Sequence, residues 1–274
     1  MAVATGTSEQ LGTGLAFARL EEWRAVEVTG GDAFDWLNDL VTADLAPLAA
    51  ASGPGTTCPA LRSLLLTPTG GVRATFTVAA IGASLLLLQD PAEPRAIGDL
   101  LGPYVLSSDV TLTDRTGALT ILARPGNPGS TSAEEGTLLE PSVLSPSGSA
   151  PGLDVLVPAG AADAAVAAFR ETLAMAPAEE VEAWRVAAAI PRAGVDVLEA
   201  DLPVEAGLDR AVAVAKGCYL GQEAVARTRN LGRPRRSLVA VSADGPVAPG
   251  ESVLTDDEEV GAITSAASFA GSTV

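Results

Sequence analysis

The sequence predicts an α+β chain of two or three compact units whose first unit is ferredoxin-like, with a split βαβ order. Three observations carry that prediction. At 274 residues, 47% hydrophobic and 19% charged, the chain is long enough and apolar enough to bury more than one core. Between Trp23 and Ala123, β-prone runs and amphipathic segments follow one another as a strand, a helix, three strands, a helix and two strands, a series that contains the order strand, helix, strand, strand, helix, strand. From Arg236 onward, short β-like runs alternate with turn residues, which predicts a small separate β-domain.

Taken in order, residues 1–14 read as a loose start. Trp23–Leu45 reads as a strand, a turn at Thr29–Asp32 and a helix with Phe34, Leu37, Leu40 and Val41 at helical spacing. Two β-prone runs around Pro68-Thr69-Gly70-Gly71 predict a hairpin. "SLLLLQD" predicts a third strand, "AEPRAIGDLLGPYV" a short helix and "DVTLTDRTGALTILA" a further pair of strands. Pro125–Gly152, rich in Pro, Gly, Ser and Thr, predicts a flexible insertion. "LDVLVP" then predicts a strand and "AGAADAAVAAFRETLA" a helix. "PAEEVEAWRVAAAIP" predicts a second helix, with Pro177 and Glu179–Glu180 suited to its first turn. The division expected is 15–124, 125–152, 153–235 and 236–274.

Composition excludes several functions. The net charge is −17, so a chain-wide nucleic-acid coat is not expected. There is no histidine, which removes Ser-His-Asp and Cys-His catalysis and every His-containing metal site. Cys58 and Cys218 lie far apart without C-x-x-C spacing, so neither a disulfide framework nor a self-contained cluster or metal site is expected. The first basic residue is Arg19, and the longest apolar stretch, Val78–Leu88, is about half a membrane span and contains Gly82. The expectation is a soluble protein of a reducing compartment, without membrane contact.

"AKGCYLGQEAVAR" (Ala215–Arg227) holds the chain's one lysine, Lys216, beside Cys218 and Tyr219, while sixteen arginines fill the other basic positions. Gly217 and Gly221 bracket the thiol, and the helix formers after Gly221 predict a helix start whose free N–H groups attract an anion or thiolate. A lone cysteine is ordinarily a small buried hydrophobe and a lone lysine an ordinary solvated charge. Their coincidence in a chain this poor in both points to a site, with Cys218 and Lys216 as the candidate catalytic pair. Downstream, Arg227, Arg229, Arg233, Arg235 and Arg236 form a basic island, read equally as a solvated face or as an anion clamp for a carboxylate-rich tail or RNA phosphates.

"KGCYLGQE" followed by "VARTRNLGRP" resembles the signature of the YgfZ-type folate-binding proteins, relatives of the T protein (aminomethyltransferase) of the glycine cleavage system. "VTGGDAFDWLNDLVTADL", "SLLLTPTGGV" and "WRVAAAIPRAGVDVLEADLPVEAGL" extend the likeness over most of the chain. The resemblance implies two ferredoxin-like lobes around a central folate cavity and a C-terminal β-barrel. It also implies tetrahydrofolate, or a one-carbon-substituted folate, as cofactor, and a cytoplasmic role in assembling or repairing iron–sulfur enzymes, some of which modify tRNA. The implied partners are those client proteins. On this likeness Cys218 is the signature thiol, flanked by Lys216 and Tyr219; Gly221, Gln222 and Glu223 form the helix start; Glu205 holds the pterin; and Arg227 faces the cavity or the folate tail.

The sequence also departs from the pattern. Where the transferases carry an acid after "TPTGGV", this chain has Arg73, Ala74 and Thr75, which weighs against aminomethyl transfer. The chain stops at "GAITSAASFAGSTV" where the family's barrel continues with another apolar strand, so the expectation is either a diverged C-terminus or a truncated sequence, with a strand edge exposed. Two alternatives stand beside the accessory role: a folate-dependent one-carbon transferase, and a non-catalytic RNA- or protein-binding module using the arginine island.

Overall fold

A computed structural model describes residues 7–50, 57–125, 137–140, 152–231, 234–269 and 272–274. The chain begins with helix α1 (Thr7–Gly12), strands β1 (Ala16–Leu20) and β2 (Arg24–Thr29), and helices α2 (Ala33–Leu40) and α3 (Ala46–Ala50). Strands β3 (Thr57–Leu66), β4 (Val72–Ile81) and β5 (Ser84–Gln89) follow, then α4 (Ile97–Leu101), β6 (Thr111–Asp114) and β7 (Leu119–Arg124). Next come β8 (Thr137–Glu140), β9 (Leu153–Pro158), α5 (Ala162–Phe169), β10 (Ala174–Met175), α6 (Ala178–Ala187) and α7 (Gln222–Leu231). Four short strands close the chain: β11 (Ser252–Thr255), β12 (Glu258–Ala262), β13 (Ser268–Phe269) and β14 (Ser272–Thr273).

The first ten strands form one ladder in the order β10-β1-β7-β9-β8-β3-β4-β5-β2-β6. Its pivot is β3, which serves two sheets. Thr57, Cys58 and Pro59 run parallel to β8, whereas Ala60–Leu66 pair antiparallel with β4. On one side of the pivot, β4, β5, β2 and β6 are all antiparallel, with α2 and α4 packed on one face. Leu37 and Val41, expected from their spacing to face inward, are fully buried there beside Leu65, Phe76 and Leu87. The last four strands make two separate two-stranded ladders.

The strand register sorts the other face of the hairpin. Residues directly opposite one another point to the same side of a sheet. Leu64 lies opposite Thr75, and Arg62 opposite Thr77, which in turn lies opposite Leu88. Leu64 and Leu66 pack under Val197, Leu208 and Val225. Ala60 and Ala79 pack in the cluster that holds Trp184 and Ile190. Arg62, Thr75 and Thr77 sit between these two apolar zones, and this polar gap places the cavity described below.

Three sequence expectations change. The start is not loose throughout, because Thr7–Gly12 is helical and Leu11 is fully buried near Trp184; a single anchoring leucine gives no periodic signal. The strands predicted in "DVTLTDRTGALTILA" both form but do not pair with each other. Strand β6 joins β2, whereas β7 lies between β1 and β9. Within the predicted insertion, 126–136 and 141–151 lie outside the described residues, and between them Thr137–Glu140 enters the ladder as β8.

Candidate functional site

The signature segment is held against the tip of the β3–β4 hairpin by two glycines. Gly221 has φ +83°, and a Cβ there would lie 2.5 Å from the Thr67 carbonyl oxygen. Gly70 has φ +86°, and its Cβ would lie 2.7 Å from that of Ala224. Only glycine meets both conditions without strain. Two stretches far apart in sequence, "TPTGG" and "GQEA", are thereby brought into contact. Helix α7 then starts at Gln222, whose side-chain Oε1 accepts from the Tyr219 N–H at 3.2 Å, while the Gln222 N–H donates to the Tyr219 carbonyl at 3.2 Å. Tyr219 is half-buried against the Leu64–Leu66 zone, and burial pushes its phenol up, with Arg229 acting against it.

Cys218 is exposed, on the loop before this helix. Lys216 turns elsewhere. Its Nζ donates to the carbonyls of Asn38 at 2.6 Å, Val41 at 2.7 Å and Ala43 at 2.7 Å, and lies 5.4 Å from the centre of the Tyr219 ring. Burial draws this ammonium down to about 8, against the pull of Asp44 and Asp39. Among the described residues no hydrogen bond joins Lys216 to the thiol.

The remaining expected residues lie on the turn of Glu205 and on α7. Glu205 is half-buried, with Oε2 accepting from the Leu202 N–H at 3.0 Å, so its carboxylate closes its own turn. Glu223 and Arg227 are exposed on α7. Of the arginine island, Arg229 and Arg235 are exposed, Arg236 is bonded to Asp201, and Arg233 lies outside the described residues.

A second polar centre went unread in the sequence. A cavity of about 50 Å³, measured as the space open to a water-sized sphere, lies between the hairpin face and α6. Its polar lining is Arg62, Thr75, Asp90, Glu93, Glu182, Arg185 and Arg192. Glu93, only 2% exposed, accepts from the Thr75 hydroxyl, from the Thr75 N–H at 3.1 Å and from Gln89 Nε2 at 3.0 Å. Arg62 Nη2 donates to the same Thr75 hydroxyl at 2.9 Å. Burial lifts the Glu93 carboxyl above the usual carboxylate range, while Thr75, Arg62 and Gln89 restrain it. On the far wall Arg192 pairs with Asp90 and Glu182, both at 3.0 Å, and Arg185 with Asp196 at 2.7 Å. The available signals were an arginine inside the apolar run "ALRSLLL" and a glutamate just after the strand "SLLLLQ".

Glu205 does not line this cavity. Among the described residues, no three His, Cys, Asp or Glu side chains are grouped as a metal site, and no helix is long and apolar enough to cross a membrane.

Comparison with known proteins adds two likenesses, while no family model matches the chain. The chain superposes on the crystal structure of glycine cleavage system aminomethyltransferase T from Bartonella henselae with a TM-score of 0.72, over 94% of this chain and 76% of that one. The chain has the aminomethyltransferase T fold. Sequence identity over the T-fold match is 16%, so the likeness is one of architecture. The chain is also 24% identical over 277 residues to a chloroplastic protein of Arabidopsis thaliana that is named only as a candidate transferase. That alignment covers 92% of this chain, which spans about 62% of the relative's length.

Proposed function

We propose that the protein binds tetrahydrofolate and serves as an accessory factor in assembling or repairing iron–sulfur enzymes, including tRNA-modifying ones, with Cys218 as its reactive thiol. The observation that carries this reading is the T fold over nearly the whole chain, combined with a YgfZ-like signature loop that leaves its thiol exposed. The division into a first lobe over 15–124, a second over 153–235 and a C-terminal β-unit from 236 belongs to the same reading, as does a cytoplasmic setting.

The cavity suits one edge of a folate ring in its chemistry. A buried carboxyl that accepts and a guanidinium that donates, both bonded to Thr75, complement an amide-like edge with adjacent donor and acceptor atoms. The space holds roughly three or four waters, enough for that edge and not for a whole folate, whose tail would leave by the mouth. Cys218 alone cannot hold a cluster, so cluster chemistry would draw its other ligands from the client.

Calorimetry with tetrahydrofolate tests the first half. The wild type should bind, Glu93→Gln and Arg62→Gln should each weaken binding about tenfold, and Cys218→Ala should leave it unchanged. Absence of binding by the wild type ends the reading. For the second half, Cys218→Ala should fail to restore an iron–sulfur enzyme in cells lacking the protein; full restoration would remove the thiol from the mechanism.

One observation favours a second reading, a folate-dependent one-carbon transferase. Thr75 lies in the stretch where the resemblance finds an acid missing, and Glu93 supplies a carboxyl directly to it. Turnover of a methylene- or methyl-folate donor, lost in Glu93→Gln, would establish it.

A further inference from the structure

Thr42 and its neighbours stitch the turn after α2 to the segment entering the signature loop. The Thr42 hydroxyl donates to the Ala211 carbonyl at 2.7 Å, and the Ala213 N–H donates to the Thr42 carbonyl at 2.9 Å. The carbonyls on either side of Thr42, those of Val41 and Ala43, converge with that of Asn38 on a single point, and the Lys216 ammonium occupies it. Asn38 Oδ1 lies 3.3 Å from the same nitrogen. Asn38 is in the last turn of α2, where unpaired carbonyls carry the negative end of the helix dipole. Asp39 and Asp44 add negative charge nearby, and the face of Tyr219 closes one side. Converging backbone carbonyls with acidic neighbours are what a weakly hydrated monovalent cation selects.

We propose that Asn38, Val41 and Ala43 form a monovalent-cation site which the chain fills with its own ammonium, and that Lys216 is thereby a positioning residue for Cys218. The peg pins the loop two residues before the thiol to the end of α2, while Gly221 pins it three residues after, against the hairpin. The thiol is held out at the crest of a loop clamped on both sides. This goes beyond the folate reading and stands or falls apart from it. It also answers why one lysine persists among sixteen arginines: three separate carbonyls around one point suit a compact, three-donor ammonium and exclude a flat guanidinium fork.

The test uses the full-length Lys216→Ala and Lys216→Met proteins in buffers whose sole monovalent cation is ammonium, potassium or tetramethylammonium. Amide exchange of Gly217–Gly221 and the pH profile of Cys218 alkylation are followed, with β5 amides as the internal reference. In tetramethylammonium, Lys216→Ala should exchange about tenfold faster in the loop while β5 is unchanged. Ammonium or potassium should return the loop exchange and the alkylation profile to wild type. Lys216→Met, whose stem fills the space, should show the same defect without rescue. Loop exchange equal to wild type, or a defect that ignores the cation, would overturn the proposal, as would equal loss of protection in β5. If Lys216→Ala does not fold in tetramethylammonium, refolding from urea is compared: recovery in ammonium alone supports the cation site, and recovery in neither rejects it.

Discussion

The signature loop and the hairpin cavity make opposite use of their residues. The loop holds the chain's one lysine, one of its two cysteines and one of its two tyrosines, yet its contacts serve local architecture. Gly221 permits the contact with Thr67, Gln222 closes a reciprocal pair with Tyr219, and Lys216 satisfies backbone carbonyls. The polar wall of the cavity is built from common residue types, yet it holds a carboxyl that is 2% exposed and shares a hydroxyl with an arginine. Rarity marks where a chain is constrained, whereas a buried carboxyl marks where it bears a cost in stability.

The sharpest way to break this contrast is at the glycines. Gly221→Ala should cost about 2–4 kcal/mol, because it combines a positive φ with a Cβ 2.5 Å from a carbonyl oxygen. Gly217→Ala, with nothing within 4 Å of its Cβ, should stay within about 0.5 kcal/mol by urea denaturation. Equal effects at the two positions would show that the loop is not clamped where the structure clamps it.

The cavity side is tested by pH. Because burial raises Glu93 above its ordinary value of 4.5, the folded protein keeps this proton to higher pH than the unfolded chain. Its stabilising contribution is therefore complete below that value and is lost as pH rises through the folded one. Glu93→Gln should flatten the pH dependence of the melting temperature above pH 4.5, and it should melt no lower than wild type once the pH has passed the folded value. A marked fall there would mean that the ionised carboxylate stabilises the fold.

Smaller effects sharpen the loop side. Arg236→Ala removes the exposed partner of Asp201, a buried carboxyl that keeps the Leu198 N–H, and should cost about 1–2 kcal/mol. Native protein should be alkylated at the exposed Cys218 and spared at Cys58, which is 8% exposed, as peptide mass mapping would show. Cys218→Ser should then change stability by less than about 0.5 kcal/mol.

What was legible in the sequence follows the reach of each signal. Periodicity found α2, its inward Leu37 and Val41, and the hairpin around Gly70–Gly71, because these are written in consecutive residues. Pro177 and the Glu179–Glu180 pair marked the start of α6 for the same reason. Strand β8 was missed because its four residues lie in a stretch of turn-forming composition and are ordered by β3 and β9, not by local preference. At the candidate site, the segment was found by composition, but the role of Lys216 was not. Its acceptors lie at positions 38 to 43, and nothing near Lys216 in the chain points to them. Glu93 reads as one more acid in a chain of net charge −17, and only the fold turns it toward Thr75.

The double membership of β3 has its own consequence. Its seam with β8 is three residues long and includes Pro59, which has no N–H to donate, whereas its seam with β4 runs from Ala60 to Leu66. A zipper with one short and one long side parts first along the short one. Widening of the molecule between its two sheets should therefore start at the Thr57–Pro59 edge, with Arg62 and the hairpin wall of its cavity riding on the half that stays closed.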